Sequence, residues 1–70
     1  MEMTYVDSES VDQIGYDSDF SEVHVIFKHG GHYIYSDVTP ETWESFRNSP
    51  SKGGFVQSEF RGKGYQYRKA

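Results

Sequence analysis

Val23-His24-Val25-Ile26-Phe27-Lys28-His29-Gly30-Gly31-His32-Tyr33-Ile34-Tyr35 is the stretch on which the architecture turns. Two runs of β-branched and aromatic residues flank a pair of glycines, the composition of two strands and a tight connection. Glycine supplies the positive φ that such a turn needs, so the stretch predicts an antiparallel hairpin. Two registers are open. A two-residue loop sets Val25 and Phe27 on the face opposite Tyr33 and Tyr35, whereas a three-residue loop with a glycine bulge puts all four on one face. The second is preferred, because it gathers Val23, Val25, Phe27, Tyr33 and Tyr35 into one core face. It leaves Ile26 opposite Ile34 on the outer face, beside His24 and Lys28. An outward apolar pair of this kind suits a weak homodimer.

Upstream, Ser10 to Tyr16 carries Val11, Ile14 and Tyr16 and predicts a short first strand. Asp17-Ser18-Asp19 supplies turn chemistry, since Asp and Ser side chains bond nearby backbone amides. Residues 1–9 are polar and acidic and are expected to form a loosely ordered terminus ahead of a domain over residues 10–70. Downstream, Thr39-Pro40-Glu41 is a helix start: a capping hydroxyl, a proline that loses no needed donor, and a carboxylate at the positive end. Trp43 and Phe46 share one face of that helix, and Asn48-Ser49-Pro50 ends it. Phe55, Val56, Glu59 and Phe60 follow helical spacing, with Gly62 as a stop. Tyr65-Gln66-Tyr67-Arg68 alternates and predicts a last strand at the sheet edge. The order implies an α+β fold, a small antiparallel sheet of about four strands with one or two short helices on one face.

The 70 residues allow one domain, contain no cysteine, and are 34% hydrophobic. Absence of cysteine excludes disulfides, thiolate metal sites and a cysteine nucleophile. No run of apolar residues is long enough to cross a membrane as a helix, and the Met1 to Thr4 start lacks signal-peptide character, so the expected compartment is the cytoplasm. The formal net charge of −4 is unevenly distributed. Residues 1–50 carry ten carboxylates against Lys28 and Arg47, a net of −8; residues 51–70 carry five cations against Glu59, a net of +4. An acidic whole opposes non-specific nucleic-acid binding, while a basic tail permits a local phosphate contact.

Taken in order, these motifs resemble the KTSC family, a short domain of the type at the C-terminal end of some lysyl-tRNA synthetases that also stands alone in bacteria and phages. The resemblance runs through Ser10, Ile14, Gly15-Tyr16-Asp17, Val23, Val25, Phe27 and Gly30. It continues in Tyr33-Ile34-Tyr35, Val38, Pro40, Ser51-Lys52-Gly53-Gly54-Phe55, Arg61 and Tyr65-Gln66-Tyr67. It covers roughly residues 10 to 68. This chain departs from the family at Val56-Gln57, where an asparagine often follows the second aromatic, and at Gly64, which lengthens the approach to Tyr65. The resemblance implies the α+β fold and, through the synthetase attachment, RNA binding.

Among chemistry-bearing residues, His29 and His32 flank the two glycines and are placed to approach each other, with His24 or Asp37 as a conceivable third ligand. His24 lies about 16 Å up an extended strand at about 3.3 Å per residue, so no metal site is expected. No nucleophile elbow or phosphate loop is present, and the carboxylates Asp17, Asp19, Glu22, Glu41 and Glu44 lie in polar stretches, so no catalytic residues and no cofactor are expected. The C-terminal stretch interleaves cations, glycines and aromatics. Lys52, Arg61, Lys63, Tyr65, Tyr67, Arg68 and Lys69 are the candidate nucleic-acid-binding residues, with cations for phosphates and rings for unpaired bases. The leading expectation is a non-enzymatic binding module for RNA or single-stranded nucleic acid. The alternative is a protein-interaction module, such as a phage-encoded modulator of a basic host protein, that uses the acidic surface of Asp17 to Glu22 and Glu41 to Glu44.

Overall fold

A computed structural model describes residues 1–70. Five strands form one antiparallel sheet in chain order: β1 (Met3–Tyr5), β2 (Val11–Asp17), β3 (Glu22–Phe27), β4 (His32–Tyr35) and β5 (Tyr67–Lys69). Helix α1 (Pro40–Arg47) and helix α2 (Lys52–Phe55), which runs on as a π-helical stretch over Val56–Arg61, lie between β4 and β5. The fold is thus α+β, with one strand beyond the expected four. That strand is Met3–Tyr5, inside the segment expected to be loosely held. It pairs with β2 through Met3↔Gly15, Thr4↔Ile14 and Tyr5↔Gln13.

The central hairpin adopts the three-residue loop. Phe27 N–H donates to the Gly31 carbonyl at 3.0 Å, and Gly30 N–H donates to the Phe27 carbonyl at 3.0 Å. Gly30 and Gly31 sit at φ 103° and 98°, a region that side chains disfavour. Val25 therefore pairs with Tyr33 and Val23 with Tyr35, on one face as expected. The outer pairing differs. Ile26 lies opposite His32, and Ile34 lies opposite His24, so the two isoleucines are diagonal rather than facing. Ile34 also lies opposite Arg68 of β5 and is only 6% exposed, which removes it from any open apolar pair.

Helix α1 begins as its sequence dictates. Thr39 is extended and its hydroxyl accepts from Thr42 N–H, with Pro40 in the first turn. Its Phe46 is fully buried, and Trp43 stacks on Tyr16 with ring centroids 5.5 Å apart. The core joins Val11, Ile14, Val23, Val25, Tyr35 and Val38 to Phe46, Val56 and Phe60. Phe60 is its hub, with rings of Tyr35, Phe46, Phe55 and Tyr65 at 4.9 to 5.5 Å.

Candidate functional site

Three segments converge at one end of the sheet: the β1–β2 connection, the β3–β4 loop and the start of α2. Lys28 N–H donates to the Ser10 carbonyl at 2.8 Å, which ties the first two together. Between them opens a polar cleft of about 770 Å³, lined without any hydrophobic residue by groups that include Asp7, Glu9, Ser10, Lys28 and Ser51. A second cleft of about 180 Å³ adjoins it, lined in part by Phe27, His29, Tyr33, Val56 and Arg61. Ser10, Gly53 and Gln57 line both, so the two clefts form one groove with a shared waist. A side chain at Gly53 would place its Cβ 2.5 Å from Ser10 Oγ, so a larger residue at this waist would turn the Ser10 hydroxyl aside.

The π-helical stretch builds one wall. Gly62 N–H donates to the Gln57 carbonyl at 2.8 Å, and Tyr65 N–H to the Phe60 carbonyl at 2.9 Å, each reaching back five residues. A Cβ on Gly62 would collide with the Ser58 carbonyl, so glycine permits the wide turn to close. Val56 and Phe60 are buried in the core, while Gln57 and Arg61, also four apart, line the groove. Such widened turns recur at functional sites.

From the lining of the smaller cleft a row of aromatic rings runs across the sheet to β5. His29 stacks on Phe27 at 5.8 Å, Phe27 meets Tyr33 edge-on at 5.7 Å, and Tyr33 meets Tyr67 edge-on at 5.9 Å. Lys69 Nζ lies 5.6 Å from the Tyr33 ring centre, within cation–π range. Burial raises the pKa of the Tyr35 phenol, and the nearby Arg61 guanidinium opposes that rise. Tyr67, at the end of the row, is 61% exposed.

The expected binding residues divide into separate places. Arg61, Tyr67 and Lys69 gather around this row. Lys63 instead pairs with Glu59 at 3.0 Å, and the Tyr65 hydroxyl donates to the same carboxylate at 2.9 Å while its ring packs on Phe60. These two contacts hold the Glu59 carboxyl below its ordinary pKa, Lys63 contributing most. Arg68 projects to the opposite face of the sheet and donates two hydrogen bonds to Glu22, at 2.7 and 3.2 Å, which lowers the Glu22 pKa. Lys52 Nζ folds onto the Ser49 carbonyl at 2.5 Å. Alternation in a strand sends neighbouring side chains to opposite faces, which is why Arg68 parts from Tyr67 and Lys69.

Phe27, His29, Tyr33, Ser10 and Gln57 were not among the expected site residues. Phe27 and Tyr33 read as core, and the serine and glutamine are common surface types. The available signal was the family resemblance, since Ser10, Tyr33, Gly53 and Arg61 all belong to its motifs and Gln57 marks a departure from it. The histidines also rearrange. His32 meets His24, with Nδ1 of His24 and Nε2 of His32 2.8 Å apart, rather than His29, because the hairpin folds β4 back along β3. Nowhere do three His, Cys, Asp or Glu side chains gather as metal ligands would.

A meander sheet, covered on one face by a helical pair and bordered at one end by a groove, defines a small α+β domain. The KTSC domain model matches residues 7–67, and the chain belongs to that family. It is similar to the crystal structure of a KTSC domain protein from Yersinia pestis, with 30% identity, coverage of 99% of this chain and 96% of that one, and a TM-score of 0.91. No curated protein matches the sequence. No helix is long and apolar enough to cross a membrane.

Proposed function

We propose that this protein is a non-enzymatic cytoplasmic module that binds RNA or other single-stranded nucleic acid along the aromatic row and the adjoining groove. The supporting observation is the row His29–Phe27–Tyr33–Tyr67, ending in an exposed ring and flanked by Lys69 and Arg61. Unpaired bases stack on such rings, while the cations meet the backbone. A resemblance to the domain at the end of some lysyl-tRNA synthetases agrees with this reading. The site is narrower than the sequence suggests, because Lys63 and Arg68 are already held by carboxylates. The alternative, docking of a basic protein on the acidic surface, draws less support. Glu22 and Glu44 are engaged by Arg68 and Arg47.

The test is fluorescence anisotropy with a single-stranded RNA at low and moderate salt. Binding weakens as salt rises, because phosphate contacts release counterions. Tyr67→Ala weakens it by about 5- to 150-fold, the loss of one stacked base. Arg61→Ala also weakens it, whereas Lys63→Ala and Arg68→Ala leave it unchanged. Absence of binding at low salt, or equal losses from all four variants, rejects this site.

A further inference from the structure

Resting on the RNA reading, we propose that the groove receives the 3′ end of the strand, with the terminal ribose diol in its polar half. The two halves differ in chemistry as the two ends of a nucleotide do. The smaller half offers Phe27 and Tyr33 to a base and Arg61 to the phosphate that links it to the strand. The larger half has no hydrophobic lining and presents Asp7, Glu9, Ser8, Ser10 and Ser51, with Lys28 as its single cation. Carboxylates accept from sugar hydroxyls and repel a further phosphate, whereas the serine hydroxyls pair with either, so the discrimination rests on Asp7 and Glu9. A strand that continued past this sugar would carry its next phosphate toward Asp7 and Glu9. A strand that ends there brings only hydroxyls.

The direction of the remaining strand follows from the same residues. Tyr67 and Lys69 extend the row beyond the cleft, on the side away from Asp7 and Glu9, so preceding nucleotides have rings and a cation to meet. This favours a chain end over a free nucleotide, which would leave Tyr67 unused. The shared waist of Ser10, Gly53 and Gln57 lies where base and diol would join.

Competition against a labelled linear RNA tests the inference. The competitors share one sequence and are linear with a free 3′-hydroxyl, linear with a 3′-phosphate, and circular. The free 3′-hydroxyl competes best, and the other two are weaker by about tenfold, the loss of one or two charge-assisted hydrogen bonds. The double variant Asp7→Asn, Glu9→Gln restores the 3′-phosphate competitor toward the level of the free end. If the circular RNA competes as well as the linear one, the strand-end inference fails while RNA binding stands. If no RNA binds the wild-type protein, both fail.

Discussion

On the face that the helices cover, β2, β3 and β4 present Val11, Ile14, Val23, Val25 and Tyr35, each at 2% exposure or less. On the opposite face the same strands present Gly15, His24, His32 and Ile34, with Glu22 reaching across β4 to Arg68. The first face is held by apolar volume, with rings on all sides of Phe60. The second has less apolar volume: Ile34 is its one buried apolar side chain, Gly15 lets β1 approach, His24 meets His32, and Arg68 pairs with Glu22. Dispersion and hydrophobic burial do not respond to pH or salt in the physiological range, whereas polar pairings do. One sheet therefore carries a face that sets stability and a face that responds to conditions.

Removing the hub of the covered face is the most severe way to probe this contrast. Phe60→Ala is expected to cost about 3–5 kcal/mol, comparable to the whole stability of about 4–10 kcal/mol for a chain of this length. Urea unfolding should find the variant largely unfolded; a cooperative transition near the wild-type midpoint would show that Phe60 is not the hub.

An insertion on the open face should do less. A Cβ at Gly15 would lie 2.6 Å from Met3 Sδ and 2.8 Å from the Glu2 carbonyl, so Gly15→Val must displace β1. The expected cost is about 1–3 kcal/mol, with faster hydrogen exchange at the β1 amides and unchanged exchange in β3. Uniform loss of protection across the sheet would mean that the two faces do not behave separately.

Acid should act on the open face through His24, whose pKa is lowered from its ordinary value of 6.5 by burial and then by His32. A depressed histidine binds fewer protons folded than unfolded, so stability rises with pH in this window. The contribution is complete above about pH 6.5 and declines as the pH falls below it. His24→Gln should flatten this part of the stability profile, and Phe27→Leu should not; an unchanged slope in His24→Gln would remove the histidine pair from the account. Glu22, lowered by Arg68, acts in the same direction in a more acidic window, below its ordinary 4.5.

The smallest effect is expected from the ion pair itself. Arg68 is 56% exposed at its side chain, and exposed pairs contribute little. Glu22→Gln should shift the thermal midpoint barely beyond measurement error near neutral pH. A large loss would mean that the pair, and not β4 pairing, keeps β5 in place.

Much of the fold was legible because its signals are local. Gly30 and Gly31 sit where the chain must take positive φ, and Thr39-Pro40 starts α1 by capping chemistry. The alternation of Val23, Val25, Tyr33 and Tyr35 marks the core face. The candidate site was much less legible. Tyr67 and Lys69 both lie against Tyr33, but Arg68 between them points the other way to a glutamate 46 residues upstream. The groove waist joins Ser10, Gly53 and Gln57 from distant parts of the chain, and no local preference encodes that meeting. The π-helical stretch was missed because its apolar spacing, Val56 to Phe60, also fits an ordinary helix.

The sequence by itself determined a hairpin around paired glycines, a capped helix and an α+β order, because backbone preference and side-chain periodicity act over a few residues. It also placed cations and rings together near the C-terminus. Tertiary structure alone decided which of those cations remain unpaired by carboxylates, which tyrosine packs inward and which stays at the surface, and where a groove opens. Those outcomes depend on side chains brought together across the sheet, where charge pairing and packing are settled only once the chain has closed on itself.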